Sequence, residues 1–284
     1  MNKNIGIIAI FYNPTEECVS HFIKFARAGF YVAIGNNGIK DQYLKKMEIE
    51  SNMYILGEGV NIGLAAALNK CINFFIDSIN VRSVILFDQD SKPKIELPIE
   101  LEKSFKLLRS NANPACVGPY LIDRKMTGKS SLLNAERFMN VETIATSGTY
   151  ISTDVLRMVG LMKEELFIDC IDHEWCFRAS SLGYEIYVDL KNTMSHDMGE
   201  SGMNFFGSYK PIYKSPVRHY YIVRNCIYML GLNYVPFWWR FKECFKLIRR
   251  ILFYLIFSNR RIATLINVFR AVFHGLSGKL GAIK

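Results

Sequence analysis

Long hydrophobic runs are scarce in these 284 residues. The longest uninterrupted one in the C-terminal segment, residues 251–257, has seven residues, against the ~20 needed to span a bilayer as a helix, so that segment is not expected to cross. The run at 5–12 imitates a signal-peptide core, but no small-residue cleavage site follows and Asn13-Pro14 stops it, so it reads as a buried strand. None of the seven scattered cysteines forms a C-x-x-C spacing, which argues against a zinc site or a disulfide framework and fits a reducing cytosol. Prolines number only 8 and no repeat or low-complexity stretch is present, while half the residues are apolar; disordered and collagen-like classes are excluded. Acids are nearly missing from residues 236–284, where Glu243 stands alone against ten Lys/Arg. The whole formal charge of +9 is therefore in that tail, leaving 25 basic and 25 acidic residues in 1–235.

What is present is an alternation of short apolar runs and helical patterns. Strands are expected at 5–11, 30–34, 53–56, 81–87, 115–119, 146–151 and 184–188, and helices at 15–29, 64–76, 100–109, 153–159 and 172–182. Residues 123–140 read as an irregular loop, and everything past 216 reads as helical with a break near 234–236. The order β-α-β-β-α-β at the start, with glycines or acids at strand ends, predicts an α/β fold: an open, mainly parallel sheet whose ligand site lies at the strands' carboxyl ends.

Three clusters carry chemistry. Asp88-Gln89-Asp90 directly follows the apolar run 84–87, projecting two carboxylates where Mg²⁺ or Mn²⁺ bridging a diphosphate would sit; the plainer reading is a solvated turn capped by Asp88 or Ser91. Asp169, Asp172, Glu174 and Trp175 open a helix. Either Asp172 or Glu174 is suited to act as general base on an acceptor hydroxyl, unless the cluster is only an acid-rich helix start. His196 is a candidate to complete a carboxylate and imidazole metal site, or else a structural histidine. Asn61 and Gly63 precede the helical run 64–76 and offer main-chain amides to a nucleotide, the alternative being close packing. Arg218 and Arg224 are candidate diphosphate or acceptor ligands on an expected helix, the alternative being that one face of it is core.

These strings, in this order, resemble glycosyltransferase family 2, and within it the bacterial rhamnosyltransferases of O-antigen and other surface polysaccharides. The match runs through Phe11-Tyr12-Asn13-Pro14, Asn61-Ile62-Gly63 to Asn69, Phe87-Asp88-Gln89-Asp90-Ser91, Thr146-Ser147-Gly148, Asp169-Cys170-Ile171-Asp172-His173-Glu174-Trp175, His196-Asp197-Met198-Gly199 and Arg224-Asn225. The resemblance implies a GT-A, Rossmann-like sheet, a metal held by Asp88, Asp90 and His196, and Asp172 as catalytic base. It implies donor contacts from Asn13, Pro14, Asn36, Asn61, Gly63, Asn69, Asp88, Gln89 and Arg224, and acceptor contacts from Ser147, Gly148, Asp169, Glu174 and Trp175. Asn36 stands where the family commonly has an acidic residue. The implied reaction is inverting transfer of L-rhamnose from dTDP-β-L-rhamnose to a lipid-linked or polysaccharide acceptor, with another donor such as a UDP-hexose or UDP-galactofuranose as the alternative.

Two regions follow: a catalytic domain, 1–215, and a basic helical region, 216–284. Trp, Phe and Lys/Arg interleave from 237 onward, the composition of a helix lying among anionic lipids. That predicts a cytoplasmic protein peripheral on the inner membrane. A nucleic-acid partner is not expected, since no binding module is recognisable and the body is neutral. The other readings of the tail are a helical pair packed on the main domain, or a non-catalytic membrane-associated nucleotide-binding protein.

Overall fold

The computed structural model describes residues 4–123, 136–196, 202–205, 208–211, 216–257 and 261–283; for 123, 196, 202–205, 208–211, 216 and 254–257 only the main chain is described. The strands are β1 Ile5–Phe11, β2 Tyr31–Asn36, β3 Met53–Leu56, β4 Ser83–Asp88, β5 Pro114–Asp123, β6 Phe138–Val141, β7 Thr149–Ser152, β8 Glu185–His196, β9 Gly202–Phe205 and β10 Ser208–Pro211. The helices are α1 Glu16–Arg27, α2 Asp41–Met47, α3 Leu64–Phe74, α4 Leu97–Leu108, α5 Thr153–Val159, α6 Ile171–Ser181, α7 Pro216–Leu230, α8 Phe237–Phe257 and α9 Arg261–Leu276.

Eight strands form one sheet in the order β3-β2-β1-β4-β7-β5-β8-β6, and β9 and β10 form a separate hairpin. Pairings of β1 with β2 and β4, β2 with β3, and β5 with β8 are parallel. Since β7 is antiparallel to both β4 and β5, β5 and β8 point the same way as β1 to β4. Six strands thus share one direction, and only β6 and β7 oppose them.

The local reasons are visible in the residues. β1 is buried along its whole length, as a central parallel strand must be. α1 starts where Thr15 accepts from the Cys18 amide, carries Glu16 and Glu17 in its first turn and Lys24 and Arg27 near its end, and turns Val19, Phe22, Ile23, Phe25 and Ala26 inward. Cap and charges complement the helix dipole, and each large apolar side chain buried this way contributes roughly 1.5–3 kcal/mol. In α3 the small residues Ala65, Ala67 and Cys71 are fully or nearly fully buried, which brings that helix close to the sheet.

Several expectations are corrected. The opening order is β-α-β-α-β-α-β, because α2 lies between β2 and β3; at seven residues, its apolar pattern is too short to stand out in sequence. The 123–140 stretch is not wholly irregular, since β6 pairs antiparallel with β8 from Phe138↔Asp189 to Val141↔Ile186; residues 124–135 lie outside the described set. β5 and β8 extend past 119 and 188 through a register shift between Pro119 and Tyr120, a bulge that breaks alternation in the sequence.

Two apolar clusters form. The larger spans the sheet and α1 to α6, and the second gathers Tyr220, Tyr221, Val223, Cys226, Met229, Leu247, Val268 and Ala271 of α7 to α9 around Cys170 and Phe177. The C-terminal helices are therefore packed onto the loop that opens α6. Among the described residues, no helix is long and apolar enough to cross a membrane.

Candidate active site

The parallel strands finish level. Phe11 pairs in register with Asn36, and Ile10 with Asp88, so the polar residues that follow β1, β2 and β4 emerge side by side along one sheet edge. Gln89 joins two of these loops: its Oε1 accepts from the Tyr12 amide at 2.9 Å and its Nε2 donates to the Tyr12 carbonyl at 3.2 Å. Asn13, at φ +48°, donates its amide to the Gly38 carbonyl at 2.9 Å, while Pro14 is buried beside it.

At the ends of β2 and β3 lies a cavity of about 240 Å³ lined by Asn36, Asn37, Glu58, Ile62 and Lys70 among others. Asn36 is buried, and its Oδ1 accepts from the amides of Gly38 and Ile39 at 3.2 and 2.9 Å. Asn37 spans the next gap, accepting from the Ile62 amide and donating to the Gly63 carbonyl at 3.1 Å. Sequence reasoning singled out neither Asn37, Glu58 nor Lys70. In the sequence Asn37 and Glu58 stand in glycine-flanked stretches after expected strands, and Lys70 is one of many lysines.

Asp88 is half-buried and Asp90 exposed at the end of β4. Ser147 Oγ, buried, meets Ser91 Oγ at 2.5 Å and accepts from the Asp88 amide at 3.3 Å, and the Gly148 amide donates to the Leu86 carbonyl. These two residues, expected to touch an acceptor, instead sit behind the carboxylate turn and hold it. At Gly148, φ is +86° and an added Cβ would lie 2.8 Å from the Pro119 ring, so only glycine fits there.

Two carboxylates at one strand end suit a divalent cation that takes its remaining ligands from phosphate and water. Among the described residues no group of three or more His, Cys, Asp or Glu is close enough to form a cage by itself. The His196 side chain lies outside the described residues. Its main chain pairs with Asp123 at the last position of β8, and β8 ends at the same sheet edge as β4.

The loop before α6 reaches that edge too, because α6 leads back to the start of β8 at the opposite edge. Phe167, Asp169 and Cys170 all have positive φ. The Phe167 carbonyl accepts from the Leu64 amide at 2.6 Å and from the Ala65 amide at 3.4 Å, while Asn61 Oδ1 takes the Gly63 amide. The amides of Gly63, Leu64 and Ala65 are thus engaged within the protein, while Asn61 stays exposed beside them. Asp172 is half-buried in the first turn of α6, with Oδ1 accepting from the His173 amide. Asp169 lies 3.5 Å from Arg218; burial pushes its carboxyl above the ordinary range, Arg218 pulls it down and Asp172 pushes it up.

Four further residues expected to touch donor or acceptor are engaged within the protein. Glu174 is 0% exposed; both its oxygens accept from Arg178 at 2.9 Å, and Oε1 also takes the Tyr234 hydroxyl at 2.6 Å. Of the two candidate bases, Asp172 is the half-buried one. Trp175 is buried with Nε1 donating to the Gly160 carbonyl. Asn69 is spent on the main chain of Met162 and the Glu164 carboxylate. Arg224 is 0% exposed and donates to the carbonyls of Glu165, Leu166 and Gly281 and to Asn225 Oδ1. Each of these is a polar residue in a recognisable string, and only burial separates its packing duty from a binding one.

Both the sequence and the fold are similar to those of known proteins. The chain is 30% identical over 280 residues to the dTDP-rhamnosyl transferase RfbF of Shigella flexneri, covering 93% of this chain and 90% of that protein. It is 18% identical over 255 residues to the low-salt glycan biosynthesis hexosyltransferase Agl10 of Haloferax volcanii, covering 84% and 80%. Among solved structures, residues 1–349 of S. aureus TarS in complex with UDP-GlcNAc superpose with a TM-score of 0.58 at 14% identity, over 96% of this chain and 81% of that one. GalNAc-T7 with UDP, GalNAc and Mn²⁺ gives 0.58 at 11%, over 97% and 56%. At such identities these structures bear on the fold. No protein-family model matches the chain.

Proposed function

The chain belongs to the rhamnosyltransferase group of the GT-A, family 2 glycosyltransferases, and from that premise we propose that it moves L-rhamnose from dTDP-β-L-rhamnose, with inversion, onto a lipid-linked or polysaccharide acceptor of a surface-polysaccharide pathway. The observation that carries the reading is the level finish of β1, β2 and β4, with Asp88 and Asp90 at the end of β4, the Asn36–Lys70 cavity at the ends of β2 and β3 on the same edge, and Asp172 in the first turn of α6.

In this reading the nucleobase enters the cavity beside Asn36 and Asn37. Asn36 accepts from the main chain where an acidic residue is common in the family, so its contribution is to shape the turn at residues 37–39. Asp88 and Asp90, with His196, would hold Mg²⁺ or Mn²⁺, which when bound neutralises charge on the departing diphosphate. Asp172 removes the proton from the acceptor hydroxyl as its oxygen attacks the anomeric carbon. Asp169, next to it and paired with Arg218, orients the acceptor.

The helices past 216 serve as a membrane-associating region. Exposed apolar residues recur at helical spacing on α8 (Trp238, Phe241, Phe245, Ile248, Leu252) and on α9 (Ile262, Ile266, Phe269, Phe273), with Trp238 67% and Phe273 69% exposed. Lys and Arg are interspersed among them, and each basic residue near an anionic surface adds about 1 kcal/mol. This supports attachment to the cytoplasmic membrane face, where a lipid-linked acceptor would be found.

The test is incubation with labelled dTDP-rhamnose, Mg²⁺ or Mn²⁺ and lipid-linked saccharide. Label should enter the lipid fraction, with loss of activity on chelation. Turnover of a UDP-hexose or UDP-galactofuranose in place of dTDP-rhamnose would overturn the donor while leaving the reaction class intact.

A further inference from the structure

The loop before Asp172 is held from one side by two adjacent side chains of α7. Asn225 is fully buried. Its Nδ2 donates to three carbonyls in succession: Leu166 at 2.9 Å, Ile168 at 2.7 Å and Asp169 at 2.9 Å. Its Oδ1 accepts from Arg224 Nε at 2.9 Å, which fixes the amide orientation so that nitrogen, never oxygen, faces the loop. Arg224 extends the grip to Glu165 and to Gly281 beyond α9, and the Gly281 amide returns to the Glu165 carbonyl at 2.7 Å.

The held segment contains Phe167, Asp169 and Cys170, all non-glycine residues in the left-handed region. Such residues cost of order 1 kcal/mol or more each and persist only when surrounding contacts over-determine them. Here those contacts are carbonyl acceptors, so a donor-rich side chain is what the loop requires. Once the segment leaves Cys170, α6 begins with Ile171 and Asp172 in its first turn, so the direction of the Asp172 main chain is set by this strained entry.

We infer that Asn225 is a positioning residue for Asp172: by donating to the 166–169 carbonyls, with Arg224 fixing its amide, it holds the left-handed entry that aims the first turn of α6. The inference rests on the reading of Asp172 as base. It also changes the status of the C-terminal region. Gly281 and α7 belong to the support of the catalytic loop, so ending the chain near 234 would disturb catalysis as well as membrane attachment.

The test is Asn225→Asp, which keeps size and the Oδ1 that Arg224 binds but turns an acceptor toward three carbonyls, alongside Asn225→Ser, which keeps one donor. Expected for Asn225→Asp is a kcat roughly 10- to 100-fold lower, as misplacement of a reacting group produces, with donor KM within about twofold of wild type. Hydrogen exchange should accelerate at amides 166–173 and not in β1 or β4, and Asn225→Ser should fall between the two. An unchanged kcat in a folded variant, donor KM rising in step with the loss, or exchange accelerating throughout would overturn the inference. If Asn225→Asp does not fold, the same criteria apply to Asn225→Ser. Failure of the underlying reading is separable: wild-type turnover in Asp172→Asn removes the base assignment whatever the exchange data show.

Discussion

Gly63 and Phe167 approach so closely that a side chain at 63 has no room: a Cβ on Gly63 would lie 2.6 Å from the Phe167 ring and 2.9 Å from its carbonyl oxygen. That same carbonyl takes the Leu64 amide, and the Gly63 carbonyl takes Asn37 Nδ2. One chain of contacts therefore links the cavity at the end of β2 to the loop that carries Asp172.

Gly63→Ala breaks this link twice, since φ at 63 is +91° and the new methyl overlaps Phe167. The expected loss of stability is roughly 2–5 kcal/mol, measurable as a lower urea midpoint at unchanged slope. A variant as stable as wild type would show that the approach of α3 to the loop can relax.

Asp172→Asn should lower kcat by about 10²–10⁴, the usual contribution of a positioned base. Its half-buried carboxylate takes the His173 amide, a bond the Asn amide oxygen can keep, so nucleotide binding followed by calorimetry should be preserved. Glu174→Gln provides the contrast, because the carboxylate between Arg178 and Tyr234 is buried. Its cost should appear in thermal unfolding, as expected when one partner of a buried pair is neutralised.

Asp169 gives a pH signature. Burial raises its carboxyl above the ordinary range despite Arg218. The folded state therefore binds this proton more tightly than the unfolded chain, and its contribution is fully present below the unfolded value and lost as pH rises through the folded one. Asp169→Asn, which cannot ionise, should gain stability relative to wild type as pH climbs from about 4 toward neutrality, with no gain in more acidic solution. A melting-temperature series that instead shows the variant weakening toward neutrality would mean that the Arg218 pair outweighs burial.

The exposed face of α8 predicts vesicle binding. The wild-type protein should float with vesicles rich in anionic lipid, less so at high salt. Trp238→Ser, Phe241→Ser and Phe245→Ser combined should cut partitioning at least about tenfold, given roughly 1.5–3 kcal/mol per buried aromatic. These side chains are 49–67% exposed, so folding should be little affected. Equal flotation of the triple variant would remove α8 from the membrane contact.

Much of the frame was legible in sequence. The runs at 5–11 and 53–56 are the observed β1 and β3 to the residue, and 153–159 is the observed α5. Short apolar runs bounded by glycine, proline or acids have few alternatives once a parallel sheet must bury both faces. The positions of Asp88 and Asp90 at the end of β4 and of Asp172 in the first turn of α6 were legible because carboxylates directly after a strand or at a helix start are local arrangements.

The rest depended on distant contacts. The sequence alone determined the mainly parallel α/β sheet, the gathering of the candidate residues at the strands' carboxyl ends, and the confinement of the +9 charge to residues 236–284, because composition and periodicity are properties of neighbouring residues. Only the tertiary structure decided that Glu174, Trp175, Asn69 and Arg224 serve packing, and that the basic tail is bound into the loop before Asp172. Whether a polar side chain binds a ligand or satisfies a buried carbonyl depends on partners 57 or 93 positions away, and spacing along the chain carries no record of that desolvation.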